Sequence, residues 1–188
     1  AWEAGWVGDR EGETNTEGSV RAKKRCGAKA ASDVVTIGYT LTNTGGAAGS
    51  WGQWEVSRVN AMGLTCFPEG GAIPAKPGSF GALLGLQSMG GVAWLDYKPA
   101  LYTSGNYIVA RDGLEGWSAH AESGVVFIKS FTDIAPTQIP TEEGEIQLWT
   151  DNTNTALEME NEGAYWSRPA GQSRDWTGPV SGRTIPAD

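Results

Sequence analysis

DVVTIGYTLTN, residues 33–43, places Val35, Ile37, Tyr39 and Leu41 at every second position. In an extended chain successive side chains point to opposite faces, so these four share one face and the segment reads as a half-buried strand. Its β-branched and aromatic content suits a pleated surface. The strand ends in TNTGGAAGS, residues 42–50, a turn cluster, after which Trp51 and Trp54 lead into the alternating run WEVSRV. Further strands are expected at VAWLDY (92–97), NYIVA (106–110), GWSAHA (116–121) and GVVFIKSF (124–131), separated by Gly, Pro and Asp. Such close spacing points to antiparallel pairing. EGEIQLWT (143–150), TALEMEN (155–161) and the tail PAGQSRDWTGPV (169–180) extend the pattern. With 27 Gly and 9 Pro as punctuation, a helix bundle is excluded and an all-β, twisted antiparallel sandwich is the expected fold.

Two other stretches read differently. Residues 1–19 are polar with Trp2 and Trp6 as their large anchors, and read as an irregular N-terminal arm preceding a single domain over 20–188. Between Met62 and Gly85 the Gly and Pro residues recur so often that a long structured loop is expected. In VRAKKRC, residues 20–26, the basic residues alternate with Val20, Ala22 and Cys26 as on an exposed strand, with Lys24 out of step.

The 188 residues fit one domain. A net charge of -8 repels a phosphate backbone, which argues against nucleic-acid partners. No run approaches the ~20 apolar residues of a membrane-spanning helix. The opening AWEAGWVGDREGE carries no targeting pattern. Cys26 and Cys66 lie forty positions apart and there is one His, so neither a zinc site nor any other metal or cofactor is expected. On neighbouring strands the two cysteines would form one disulfide; otherwise they are buried free thiols. The disulfide alternative goes with a secreted or periplasmic location.

The chemistry is concentrated in a few residues. Glu158 and Glu160, two apart in LEMENEG, point to one sheet face. Such a carboxyl pair raises the pKa of one member and suits proton transfer or hydrogen bonding to sugar hydroxyls, although it is equally what a wet outer face looks like. His120 is the single imidazole; alternation sets Ser118, His120 and Glu122 opposite Trp117, Ala119 and Ala121, and the polar side reads as surface. Trp51, Trp54 and Trp94 flank Gly-rich loops, where an exposed indole can stack on a sugar ring, while the bland assignment for each is the core.

VVTIGYTLTNTGGAAGSWGQWEVSRVNAMGLTCFPEGG resembles the central stretch of the galactose-mutarotase-like, or aldose 1-epimerase-like, superfamily, with Asn43 ending the strand that precedes the sugar-pocket loop. EIQLWTDNTNTALEMENEGAYWSRPAGQSRDWTGPV resembles the end of the same superfamily, where a strand with an acidic residue precedes a Pro-Ala-Gly turn and a final Trp-bearing strand. The Trp-bearing loop followed by Gly-x-x-x-Phe-Pro is similar to a non-classical bacterial branch. With GVVFIKSF the resemblance covers roughly residues 20–180. It implies a β-sandwich supersandwich that binds carbohydrate, here without the N-terminal third and so in partial form. It also implies a glutamate base, matched by Glu160 with Glu158 beside it, and a histidine acid after the Asn-bearing strand. That histidine is absent, since Thr44 to Trp51 read TGGAAGSW. Loss of a general acid slows such a step by roughly 10²- to 10⁴-fold.

The resulting expectation is a carbohydrate-binding sandwich without efficient epimerase chemistry, using Glu158, Glu160, Arg58 and His120 with Trp51, Trp54 and Trp94 as platforms. One rival is a sugar epimerase or polysaccharide-processing enzyme with Glu160 as base and His120 as acid. Another is an extracellular assembly subunit, a homo-oligomer or a chain whose sheet a partner completes.

Overall fold

The computed structural model describes residues 7–11, 19–28, 33–71 and 81–185. In chain order the strands are β1 (Val7–Glu11), β2 (Val20–Ala28), β3 (Val34–Asn43), β4 (Gly49–Trp51), β5 (Trp54–Val59), β6 (Leu64–Pro68), β7 (Gly81–Ala82) and β8 (Leu86–Met89). They continue as β9 (Val92–Asp96), β10 (Asn106–Arg111), β11 (Trp117–Glu122), β12 (Val125–Ser130), β13 (Ile146–Asp151), β14 (Leu157–Glu162), β15 (Trp166–Arg168) and β16 (Ser173–Thr184). A nine-stranded sheet runs β1-β2-β3-β16-β12-β11-β6-β9-β8 and a five-stranded sheet runs β5-β14-β13-β10-β7. β15 and β4 form a separate pair. Pairing is antiparallel except between β10 and β7. The all-β sandwich expected from alternation is the fold.

The core lies between the two sheets. Phe67, Ala93 and Leu95 come from the large sheet, and Val109, Ile146, Leu148, Leu157 and Met159 from the small one. Burying each larger side chain contributes about 1.5–3 kcal/mol relative to exposure. Tyr97, Tyr102 and Tyr107 stack along one side of this core, with centroids 4.8 and 5.0 Å apart. Near β5 the interior turns polar: Lys129 on β12 pairs with Glu55 on β5, and its ammonium also donates to the Met159 carbonyl at 2.6 Å. Lys129 is 2 % and Glu55 4 % exposed, so the ion pair ties the two sheets together where apolar contact gives out. Burial lowers the Lys129 pKa and the Glu55 charge opposes that fall. Glu145, fully buried, accepts backbone N–H bonds from Ile134 at 2.8 Å and Gly113 at 3.0 Å and fastens two loops to the start of β13. Burial nevertheless pushes its pKa up to about 7.

Several expectations need correction. Val7–Glu11, read as part of an irregular arm, is an edge strand paired with β2; the rest of 1–18, with Trp2 and Trp6, lies outside the described residues. The stretch read as a loop over 62–85 contains β6, an interior strand of the large sheet between β11 and β9. Its punctuation sits at the strand's ends. Gly63 at φ 79 turns the chain into β6 and Pro68 closes it. Residues 72–80 of that stretch lie outside the described residues. Cys26 and Cys66 are both free. They occupy β2 and β6, with β3, β16, β12 and β11 between them, and five spacings of ~4.8 Å put them on the order of 20 Å apart. A disulfide needs Cα atoms within about 7 Å. With it goes the disulfide argument for an oxidising compartment.

Candidate functional site

The small sheet has a second, outward face, and β14 shows how it is made. Leu157 and Met159 enter the core, so Glu158, Glu160 and Glu162 point to the other side. Register decides their neighbours: Arg58 and Trp149 stand opposite Glu158, Val56 and Gln147 opposite Glu160, and Trp54 opposite Glu162. The Trp54 Nε1 donates to Glu160 Oε2 at 2.7 Å, and the Arg58 guanidinium donates through Nε and Nη2 to Glu158 Oε1, each at 2.7 Å. Gln147 Nε2 donates to Glu143 Oε2 at 3.1 Å.

Burial is unequal across this group. Glu160 is 5 % exposed and Gln147 3 %, whereas the indole-bearing Trp54 is 60 % exposed. Desolvation pushes the Glu160 pKa up to about 7, with the charges of Glu158 and Glu143 acting in the same direction and the Trp54 hydrogen bond opposing them. Such a carboxyl is present in both protonation states near neutrality, so it can donate to or accept from a ligand hydroxyl. The arrangement is an open indole face beside two carboxyls, a guanidinium and an amide.

Four of the residues singled out from the sequence therefore meet: Trp54, Arg58, Glu158 and Glu160. Three do not join them. His120 on β11 stands opposite Thr65 and Phe127, and Phe127 packs on the core, so the imidazole points into the space between the sheets and is 3 % exposed. The side read as surface from the sequence is thus the inner one. Glu160 points to the other face of the small sheet. Trp94 lies opposite Cys66 and Gln87 on the outer side of the large sheet, since its neighbours Ala93 and Leu95 point inward. Trp51 belongs to the β4–β15 pair, opposite Trp166, with its ring folded over Gly49 so that no Cβ would fit there. Gln147, Glu143 and Trp149 complete the site without having been singled out; EIQLWT does show Gln147 and Trp149 sharing one face, but not that this face adjoins Glu160. Among the described residues no group of three or more His, Cys, Asp or Glu side chains is placed to hold a metal ion.

The class these features define is an antiparallel β-sandwich with an acidic, aromatic sheet face. No protein-family model and no curated protein matches the sequence. Solved structures do match in fold, and the fold is galactose mutarotase-like. A protein from Synechocystis sp. PCC 6803 aligns with a TM-score of 0.59 at 13% identity, over 96% of this chain and 62% of that one. A galactose mutarotase-like protein from Lactobacillus casei ATCC 334 gives 0.59 at 12% identity, over 94% and 69%. A candidate aldose 1-epimerase from Escherichia coli K12 gives 0.57 at 11%, over 95% and 65%. The chain thus spans between 62% and 69% of the length of these structures.

Proposed function

We propose that this chain binds carbohydrate on the outer face of the small sheet, with Trp54 as the stacking surface and Glu160, Glu158, Arg58 and Gln147 as hydrogen-bonding groups, and that it does so without efficient epimerase chemistry. The observation that carries the reading is the Trp54 indole, 60 % exposed yet fixed by its Nε1 bond to the buried Glu160 carboxyl. A large apolar ring held open beside polar groups matches the alternating apolar and hydroxylated surface of a sugar. The likeness of fold to galactose mutarotase-like proteins points the same way. Against efficient epimerase chemistry stands the position of His120, which the five-stranded sheet separates from Glu160.

Tryptophan fluorescence titrated with mono- and oligosaccharides tests this reading. A saturable change with one class of sugar, lost in Trp54→Phe and weakened in Glu160→Gln, is expected. The reading is overturned by a flat response across the panel, or by a response that Trp54→Phe leaves intact.

A further inference from the structure

Two guanidiniums without a counter-charge lie beside the β4–β15 pair. Arg168 ends β15 and Arg174 stands near the start of β16. Both lie against the Trp166 ring, their Cζ atoms 5.7 and 4.2 Å from its centroid. Elsewhere Arg58, Lys98, Arg111, Lys129 and Arg183 each hold a carboxylate. Among the described residues Arg168 and Arg174 hold none, although acidic residues outnumber basic ones by 22 to 14. The carboxylate next in sequence, Asp175, points to the other face of β16 and accepts from Thr40 Oγ1 at 2.6 Å. Burial and the charge of Arg168 lower the Arg174 pKa from its ordinary value. Two cations are thus brought together, partly desolvated, with no described side chain to compensate them.

The pair is fixed from behind and open in front. Asn43, 2 % exposed, donates through Nδ2 to the carbonyls of Arg168 and Ala47, each at 2.8 Å, and this anchors the end of β15. Arg174 is held in the β16–β3 ladder opposite Leu41. Between the pair and Leu41, Asn43, Trp51 and Gln53 remains a space of about 10 Å³, room for one water at most. A ligand therefore meets the guanidiniums from the solvent side. Arg168 Nε is closed to that side, and Arg168 Nη1 donates to the Ser167 carbonyl at 3.2 Å. Arg168 Nη2 and the three Arg174 nitrogens are neither bonded to a described group nor closed to solvent. Their N–H groups match the oxygens of a carboxylate or a tetrahedral oxyanion. Charge decides between the two. A phosphate group carries about −1.5 to −2 at neutral pH and can balance both arginines, whereas a single carboxylate leaves one unbalanced.

We propose that Arg168 and Arg174 form a receptor for a dianionic tetrahedral oxyanion, a phosphate or sulfate group, on the solvent side of the Trp166 strand. None of the residues assigned to the Trp54 face belongs to it, and it stands whether or not that face binds sugar.

Calorimetric titration of the full chain with inorganic phosphate, sulfate and phenyl phosphate in turn, at ionic strength held constant with sodium chloride, tests the site. Saturable binding with a Kd of about 1 mM or tighter is expected for at least one of them. Arg174→Gln, with a wild-type CD spectrum, should weaken it by about tenfold or more, and Trp54→Phe should leave it unchanged. Tighter binding of phenyl phosphate than of inorganic phosphate assigns the group to a larger ester; equal or weaker binding assigns it to the free ion. In the ¹⁵N-labelled wild type the Arg168 and Arg174 Nε resonances should move with the same saturation, a readout that does not depend on how a variant folds. The proposal is overturned if none of the three anions saturates by about 20 mM, or if sodium chloride alone reproduces the heat. It is equally overturned if binding leaves these two resonances in place, survives Arg174→Gln undiminished, or disappears with Trp54→Phe.

Discussion

Replacing Glu160 by Gln should flatten the dependence of stability on pH. The carboxyl has an ordinary pKa of 4.5, raised to about 7 in the folded protein. Between those values the native state holds a proton that the unfolded chain has released. Stability associated with this group is therefore complete below about pH 4.5 and is lost as pH rises through about 7. At ~1.4 kcal/mol per pKa unit the ceiling on that loss is about 3 kcal/mol. Glu158 and Glu143 share the interaction, so the measured effect should fall at about 1–3 kcal/mol. Gln keeps an oxygen to accept from Trp54 Nε1 and carries no ionisable proton. Urea unfolding followed by tryptophan fluorescence, at about pH 5 and about pH 8, gives the two free energies for each protein. The wild type should lose about 1–3 kcal/mol more between these pH values than Glu160→Gln does. Glu145, also raised to about 7, adds its own loss over the same range, and His120, whose pKa is lowered, works in the opposite direction. Both remain in the variant, so their contributions cancel in the comparison. Equal slopes in the two proteins, or a steeper one in the variant, would refute the argument that Glu160 is held protonated by burial.

Other outcomes can be checked with the same equipment. Lys129→Met leaves the Glu55 carboxylate buried without its cation and should destabilise by about 3–5 kcal/mol, whereas Lys129→Met with Glu55→Leu should recover most of the loss; urea midpoints of the two variants decide it. Phe67→Ala should cost about 3–5 kcal/mol, because the ring comes from an interior strand and is fully buried; a loss under about 1 kcal/mol would deny β6 its place in the core. Thiol titration in denaturant should find two reactive groups per chain without prior reduction, as two free cysteines require. Trp54→Phe should remove the sugar-induced fluorescence change and lower stability by about 1–2 kcal/mol, since Glu160 loses a donor.

Alternation along the chain was enough to find most strands and to pair side chains by face. DVVTIGYTLTN is β3 with its bulky residues on one side, and LEMENE is β14 with its glutamates on one side. β6 escaped because a five-residue strand bounded by Gly63 and Pro68 has the local composition of a loop. Its strand character comes from β11 and β9, which lie far from it in sequence.

The local sequence determined which residues share a face, because the two-residue period is a property of the extended backbone itself. It did not determine which face is inside. His120 and Ser118 looked like surface residues, yet their side of β11 meets the small sheet, while the glutamates of β14 point away from the core. Nor did it determine neighbours. Arg58 meets Glu158, and Trp54 meets Glu160, through the β5–β14 register, and Cys26 is parted from Cys66 by four intervening strands. Strand order, register and the choice of inner face come from hydrogen bonds and packing between distant segments, so the residues of the Glu160 face were brought together only by the tertiary structure.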